Sequence, residues 1–312
     1  MSVPTSATAP DGSGAGPGDA PATPADPPTA IADQPATPEG HAKRRGPGRD
    51  LRAAISVGVA LCLVLLASIL VVPLLFPVLV AVALCLALLE LTRALGQGCL
   101  HVPTLPLLVG AVGIVISTEV FDERGLVIST AVAISVLILW RATETLGLSA
   151  LRDVAGGVFA IAWLPFLGCF SVLLMNQEHG AALTLIAFLV PIANDTGGYV
   201  AGVLLGSHPM APGISPKKSW EGFGGSLVLG VVVAVALVVL GLHAPWWVGL
   251  VLGVVLVVVS TAGDLSESLL KRDLGLKDMG HLLPGHGGVL DRIDSILLAA
   301  PTTYILLEVL LP

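Results

Sequence analysis

Lys277 to Ser295, KDMGHLLPGHGGVLDRIDS, gathers Lys277, Asp278, His281, His286, Asp291, Arg292 and Asp294 around a proline and four glycines. Just upstream, GDLSESLLKRDLGLKD (263–278) carries Asp264, Ser266, Glu267 and Ser268, followed by Lys271 and Arg272. A third polar stretch, NDTGGYVAGVLLGSHPMAPGISPKKSWEG (194–222), holds Asn194, Asp195, Lys217, Lys218 and Ser219. Carboxylates with open coordination suit Mg²⁺, which takes one or two of them and completes its shell with phosphate oxygens and water. Arg grips phosphate as a bidentate fork and Lys as a point charge. Glycines such as Gly287 and Gly288 let a backbone approach phosphate closely, and a helix N-terminus adds a favourable dipole. A helix beginning near Val289 would put Asp291 and Asp294 on one face of its first turn. The combination points to a magnesium–nucleoside triphosphate bound at a membrane surface.

Each stretch also has a plainer reading. Asp195 lies in an apolar segment, where an ionisable side chain either faces a functional cavity or makes a helix-packing hydrogen bond. Lys217 and Lys218 could simply set topology, and the run from Asp264 to Arg272 could be a solvated interfacial helix. Two site types are excluded by pattern. There is no G-x-x-x-x-G-K-[ST] phosphate loop, and His281 and His286 lack the Cys partners or i, i+4 spacing of a zinc site. Cys62, Cys85, Cys99 and Cys169 are scattered in or beside apolar segments and read as small buried hydrophobes.

The elements that must position these residues are helices in a bilayer. The chain has 312 residues, 54% hydrophobic and 12% charged, with a mean hydropathy of +0.91. A soluble domain carries about 25% charged residues. Apolar runs near the length needed to cross a bilayer recur at 53–72, 74–91, 103–120, 126–143, 154–175, 181–205, 223–242, 245–263 and 289–311. Helices satisfy the backbone in lipid where open strands do not. The fold class expected is therefore an all-α polytopic membrane protein of about nine transmembrane helices. The sixth span is the least regular, because PIANDTGGYVAG interrupts it.

With the N-terminus inside and nine alternating spans, every one of the 15 Lys and Arg residues except Arg124 falls on the inner side. That positive-inside bias places both long polar loops, 206–222 and 264–288, in the cytoplasm. Residues 1–42 are rich in Pro, Ala, Gly, Ser and Thr with no apolar periodicity and are expected to be disordered. They lack the basic start and apolar core of a signal peptide. A basic juxtamembrane segment, 43–52, leads into the membrane domain, 53–312, with the site built mainly from 190–295.

SLLKRDLGLKDMGHLLPGHGGVLDRID, Ser268 to Asp294, resembles the signature of the phosphatidate cytidylyltransferases, or CDP-diacylglycerol synthases. Ser268, Lys271-Arg272, Lys277-Asp278, Gly280, Pro284, His286-Gly287-Gly288, Asp291-Arg292 and Asp294 all stand at its fixed positions. NDTGGYVAG and SPKKSWEG resemble the family's earlier motifs. The resemblance implies that CTP and phosphatidate react to give CDP-diacylglycerol and pyrophosphate, supplying phospholipid biosynthesis. It implies Asp264 and Asp291 as principal Mg²⁺ ligands, with Asp294 and Asp195 as second ligands or orienting groups. Lys217, Lys218, Lys271, Arg272, Lys277 and Arg292 would share the phosphates, with Asn194, Ser219, Ser268, Gly287 and Gly288 completing the substrate site. His286 is open to proton transfer or to a hydrogen-bonding role.

The expected setting is the cell membrane, with the active site cytoplasmic, a homodimer as the assembly and no nucleic-acid partner. A CTP-dependent polyprenol or phytol kinase would need similar groups but transfer the γ-phosphoryl. An ion-coupled transporter would place its acidic groups near the midplane on repeated halves, and no repeat is visible.

Overall fold

The computed structural model describes residues 47–144, 147–276, 279–280 and 287–311, with side chains from 58 onward. Lys277, Asp278, His281, Pro284 and His286, together with the N-terminal tail, lie outside the described residues. The described part forms one compact unit. Its elements in order are α1 (Pro47–Leu70), α2 (Leu75–Gln97), α3 (Thr104–Glu144), α4 (Leu148–Ile161), a π turn (Ala162–Phe166), α5 (Phe170–Asn176), α6 (Gly180–Leu205), β1 (Pro209–Ala211), β2 (Ser215–Ser219), α7 (Trp220–Gly241), α8 (Trp246–Asp273) and α9 (Leu290–Leu310).

Among the described residues, seven helices are long and apolar enough to cross a membrane, α4 to α5 counting as one. The protein is a multi-pass, all-α membrane protein. This tally differs from the nine spans of the sequence at two places. The apolar part of α1 within the described side chains is only Gly58–Leu70. The 41-residue α3 is interrupted at Asp122, whose φ of 51° and ψ of −134° break the helix. Beyond it the chain folds back, so that a Cβ on Gly110 would lie 3.1 Å from the Cβ of Ala133. The expected spans 103–120 and 126–143 are thus the two legs of one helical hairpin.

Two apolar clusters hold the helices together. One unites α2 to α5 with parts of α6 and α9, around Phe76, Leu88, Leu107 and Leu164. The other joins α6, α7, α8 and α9 around Ile186, Val238, Leu252 and Leu256. Large apolar side chains also cover the outside, Val109 at 64% and Leu139 at 67% exposure among them. A surface of that kind is expected of a protein whose solvent is lipid.

One helix runs unbroken through an expected interruption to its expected end, and another runs on past its expected end. α6 continues through Pro191 and the polar run to Leu205. α8 extends past the expected end at residue 263 to Asp273. Its last turns contain no helix breaker, and Glu267 and Lys271 pair at i, i+4 with the favourable polarity. Asp264 to Arg272 therefore continues a buried span rather than forming a separate interfacial helix. The hairpin β1–β2, antiparallel with Pro209 opposite Ser219, was not foreseen in the 206–222 loop.

Candidate active site

The site begins with a close helix crossing. A Cβ on Gly197 of α6 would lie 2.5 Å from the Gly225 carbonyl oxygen of α7, and one on Gly225 would lie 2.6 Å from the Gly197 oxygen. Glycine at both positions lets the two backbones touch, as small residues do in membrane helix pairs. That contact brings Asn194, 3% exposed, between α7 and α8. Its backbone carbonyl accepts from Ser226 Oγ at 2.6 Å, and its Oδ1 accepts from Thr261 Oγ1 at 3.1 Å. Its Nδ2 donates to Asp195 Oδ1 at 3.1 Å. Asn194 thus ties three helices together and aims the neighbouring carboxylate.

The β hairpin closes this corner. Glu221, in the first turn of α7, accepts from the backbone N–H groups of Ser207 and His208 at 3.1 and 3.2 Å and lies 2.6 Å from His208 Nδ1. β2 ends at Ser219, which caps α7 by accepting from Gly222 N–H at 3.1 Å. With the strand so anchored, Lys218 Nζ sits 2.5 Å from Asp264 Oδ2 of α8. Asn194, Asp195, Lys217, Lys218, Ser219 and Asp264 all line one cavity of about 250 Å³.

The second half of the site follows one turn further along α8. Asp264, Glu267, Ser268 and Lys271 form a stripe at helical spacing. Ser268 Oγ donates to Asp264 Oδ1 at 3.4 Å. Lys271 Nζ lies 3.4 Å from Glu267 Oε1 and 2.9 Å from Asp291 Oδ1 on α9. Asp291 Oδ2 also accepts the Gly288 N–H at 2.9 Å. Gly287, with φ of 80°, supplies the left-handed turn before it. Gly263 lets α9 approach, since a Cβ there would lie 2.9 Å from the Asp294 carbonyl oxygen. Asp294 is 7% exposed, its Oδ1 accepting from the Ser295 N–H at 2.6 Å. Asp195, Asp264 and Asp294, from three helices, lie within electrostatic range of one another.

Arg272 is exposed and donates to the Ile214 carbonyl in the hairpin turn at 3.3 Å, which ties α8 to that turn. Arg292 is exposed on the first turn of α9. Lys277 and His286 lie outside the described residues.

Two buried carboxylates were not anticipated as site groups. Glu267 is fully buried, and among the described residues neither carboxylate oxygen has a hydrogen-bond partner apart from the Lys271 ion pair. Its place between Asp264 and Lys271 at i+3 and i−4 was the available signal. Glu90 of α2, 1% exposed, reaches the start of α9. Its signal was a lone acid in the apolar run ALLELTRALG.

Among the described residues no group of three or more acidic, His or Cys side chains is arranged to hold a metal ion by itself. The donors present are carboxylate and hydroxyl oxygens, the buried Glu267 carboxylate among them. Such a set fits a hard cation that retains water and borrows phosphate oxygens.

Residues 52–310 match the model of the cytidylyltransferase family. The chain is similar to the phosphatidate cytidylyltransferase of Mycobacterium bovis, 42% identical over 275 residues that cover 84% of this chain and 90% of the relative. The protein of that name from Mycobacterium leprae is 39% identical over 278 residues, 84% of this chain and 89% of the relative. The one from Staphylococcus saprophyticus is 33% identical over 227 residues, 71% of this chain and 86% of the relative.

Proposed function

Because the chain belongs to the cytidylyltransferase family, we propose that it converts CTP and phosphatidate to CDP-diacylglycerol and pyrophosphate at the cytoplasmic face of the cell membrane. The observation that carries this reading is the cavity in which Lys217, Lys218 and Ser219 face Asp195 and Asp264. Cations there suit a polyphosphate, and the facing carboxylates suit the divalent ion that accompanies it.

In this reading a phosphatidate oxyanion attacks the α-phosphorus of CTP. The bond from that phosphorus to the α–β bridging oxygen breaks, and pyrophosphate leaves with the electron pair. No covalent enzyme intermediate is needed, so the protein's work is positioning and charge stabilisation. Lys217 and Lys218 bind the triphosphate from the β hairpin. Lys271 binds a phosphate at the second half of the site, releasing Asp291 as it does so. Asp264 and Asp291 would hold Mg²⁺, oriented by Asp195 and Asp294; when bound, the ion supplies charge stabilisation to the triphosphate and the departing pyrophosphate. Phosphatidate already carries its nucleophilic oxyanion, so His286 need not act as a base.

The location suits two substrates of opposite solubility. A lipid acceptor reaches the inner ends of α6, α8 and α9 sideways from the leaflet, while CTP arrives from water.

The test uses purified protein in mixed micelles with phosphatidate, Mg²⁺ and CTP labelled separately at the α- and γ-phosphates. The α-label is expected in the lipid fraction and the γ-label in pyrophosphate. A γ-label that enters an added lipid alcohol would instead identify a kinase. Chelation with EDTA is expected to abolish turnover and added Mg²⁺ to restore it; full activity in EDTA would remove the metal from the reading.

A further inference from the structure

α9 starts without a cap of its own. Its N-cap residue, Val289, offers no side-chain acceptor, which leaves the first N–H groups of the helix in want of partners. One is supplied from a distant part of the chain. The Leu290 N–H donates to Glu90 Oε2 at 2.9 Å, across 200 residues of sequence. A carboxylate at a helix N-terminus meets both the unsatisfied donor and the positive end of the helix dipole.

Two glycines of the polar stretch are shaped around the same carboxylate. A Cβ on Gly280 would lie 2.2 Å from Glu90 Oε1, and one on Gly288 would lie 2.6 Å from Glu90 Oε2. Neither residue has positive φ, so space rather than backbone conformation calls for glycine at these two positions. Gly288 in turn donates its N–H to Asp291 Oδ2. Glu90 therefore hydrogen-bonds Leu290, the residue before Asp291, and packs against Gly288, whose N–H Asp291 accepts, from a helix that contributes no other group to the site among the described residues. Its Oε1 is buried and has no hydrogen-bond partner among the described residues.

We propose that Glu90 is a positioning residue for the reaction. It fixes the start of α9 and the backbone around Gly280 and Gly288, and so sets where Asp291 points. The inference rests on the proposed role of Asp291 in binding the metal–nucleotide. Groups that orient metal ligands in this way typically change affinity or activity by about 10–100-fold when removed.

The test compares the full-length wild-type enzyme with Glu90→Ala, Glu90→Gln, Gly280→Ala and the double variant G280A/E90A in detergent. Readouts are kcat, KM for CTP and, without turnover, Mn²⁺ binding followed by electron paramagnetic resonance. Glu90→Ala is expected to lower kcat and weaken Mn²⁺ binding, each about tenfold, with KM for CTP changed far less. Glu90→Gln keeps an acceptor for Leu290 and is expected to recover most of both. Gly280→Ala is expected to be as damaging as Glu90→Ala, whereas the double variant is no worse than Glu90→Ala, because the added methyl then has no carboxylate to strike.

Wild-type kcat and Mn²⁺ affinity in folded Glu90→Ala would overturn the proposal. So would a Glu90→Gln as defective as Glu90→Ala, because the amide keeps the acceptor that places Leu290. If Glu90→Ala fails to fold, Gly280→Ala measured against the wild type decides: a loss of about tenfold in kcat and Mn²⁺ binding supports the proposal, and wild-type values overturn it. Failure of the cytidylyltransferase reading is separate, because it would show as a wild-type enzyme that transfers no α-label.

Discussion

The two ends of the helix bundle both carry acidic side chains, buried or half-buried at Asp264, Glu267 and Asp291 of the candidate site and exposed at Asp122 and Glu123 at the other end, and they use them differently. At the end away from the site, Tyr304 donates to Glu123 and accepts from Gln177 Nε2 at 3.2 Å. Asn176 Nδ2 donates to the Glu119 carbonyl at 3.3 Å and to Asp122 Oδ1 at 3.2 Å. These bonds join side chains that stay with the protein whatever is bound, and they fasten α9 to α5 and to the α3 hairpin. At the site end the acids are answered by lysines: Lys218 with Asp264, and Lys271 with Asp291 and Glu267. An ion pair of that kind can be exchanged, the lysine moving to a phosphate and the carboxylate to a cation. Acidity marks both ends, and among the described residues the lysine partners are found at the candidate site.

Substitutions at the two ends should separate accordingly. The largest effect is expected from Asp264→Ala and Asp291→Ala. Each should abolish measurable turnover while the protein remains monodisperse in detergent, and near-normal turnover of either purified variant would remove that residue from the site. Lys218→Ala should lower kcat about 10²-fold, the usual loss when one preorganised donor to developing charge is removed. Its stability should hardly change, since the Lys218 and Asp264 side chains are 24% and 29% exposed. Thr261→Val keeps the shape but deprives Asn194 Oδ1 of its donor, so it should cost about 1 kcal/mol in unfolding by denaturant and a few-fold in turnover. Tyr304→Phe, at the far end, should cost a similar ~1 kcal/mol with kcat unchanged. A matching loss of kcat in Tyr304→Phe would break the distinction between the two ends.

The fold class was readable because the bilayer imposes simple rules. Apolar runs of spanning length must be helices, because only a helix or a closed barrel pairs every backbone group within lipid. Boundaries were less readable where polar residues continue a helix. NDTGGYVAG looks like an interruption of the sixth span, yet its glycines are what let α6 lie against α7. GDLSESLLKRD looks like the end of the eighth span, yet it continues α8 into the site. In the first case tertiary contact overrides the local pattern; in the second the helix continues because its polar residues include no breaker and pair at i, i+4. The turn at Asp122 that folds α3 into a hairpin left only a short polar run, FDERG, as its trace.

Residue types and spacing singled out Asn194, Asp195, Lys217, Lys218, Ser219 and Asp264, which the fold brings around one cavity. They also put Asp291 in the first turn of a helix, where it is found, whereas Asp294, expected beside it in that turn, falls just beyond it. Helical and strand periodicity is local, so a stripe such as Asp264, Ser268 and Lys271 can be drawn without coordinates. Pairings between helices cannot be drawn that way. Only the packing of α8 against α9 decided that Lys271 meets Asp291, and only the crossing of α6, α7 and α8 turned Asn194 into a strut. Glu90 is the extreme case, since nothing near it in sequence announces a partner 200 residues away. Chemistry can be inferred from which side chains a chain possesses, but the partner of a buried charge depends on distance in space, and distance is what folding supplies.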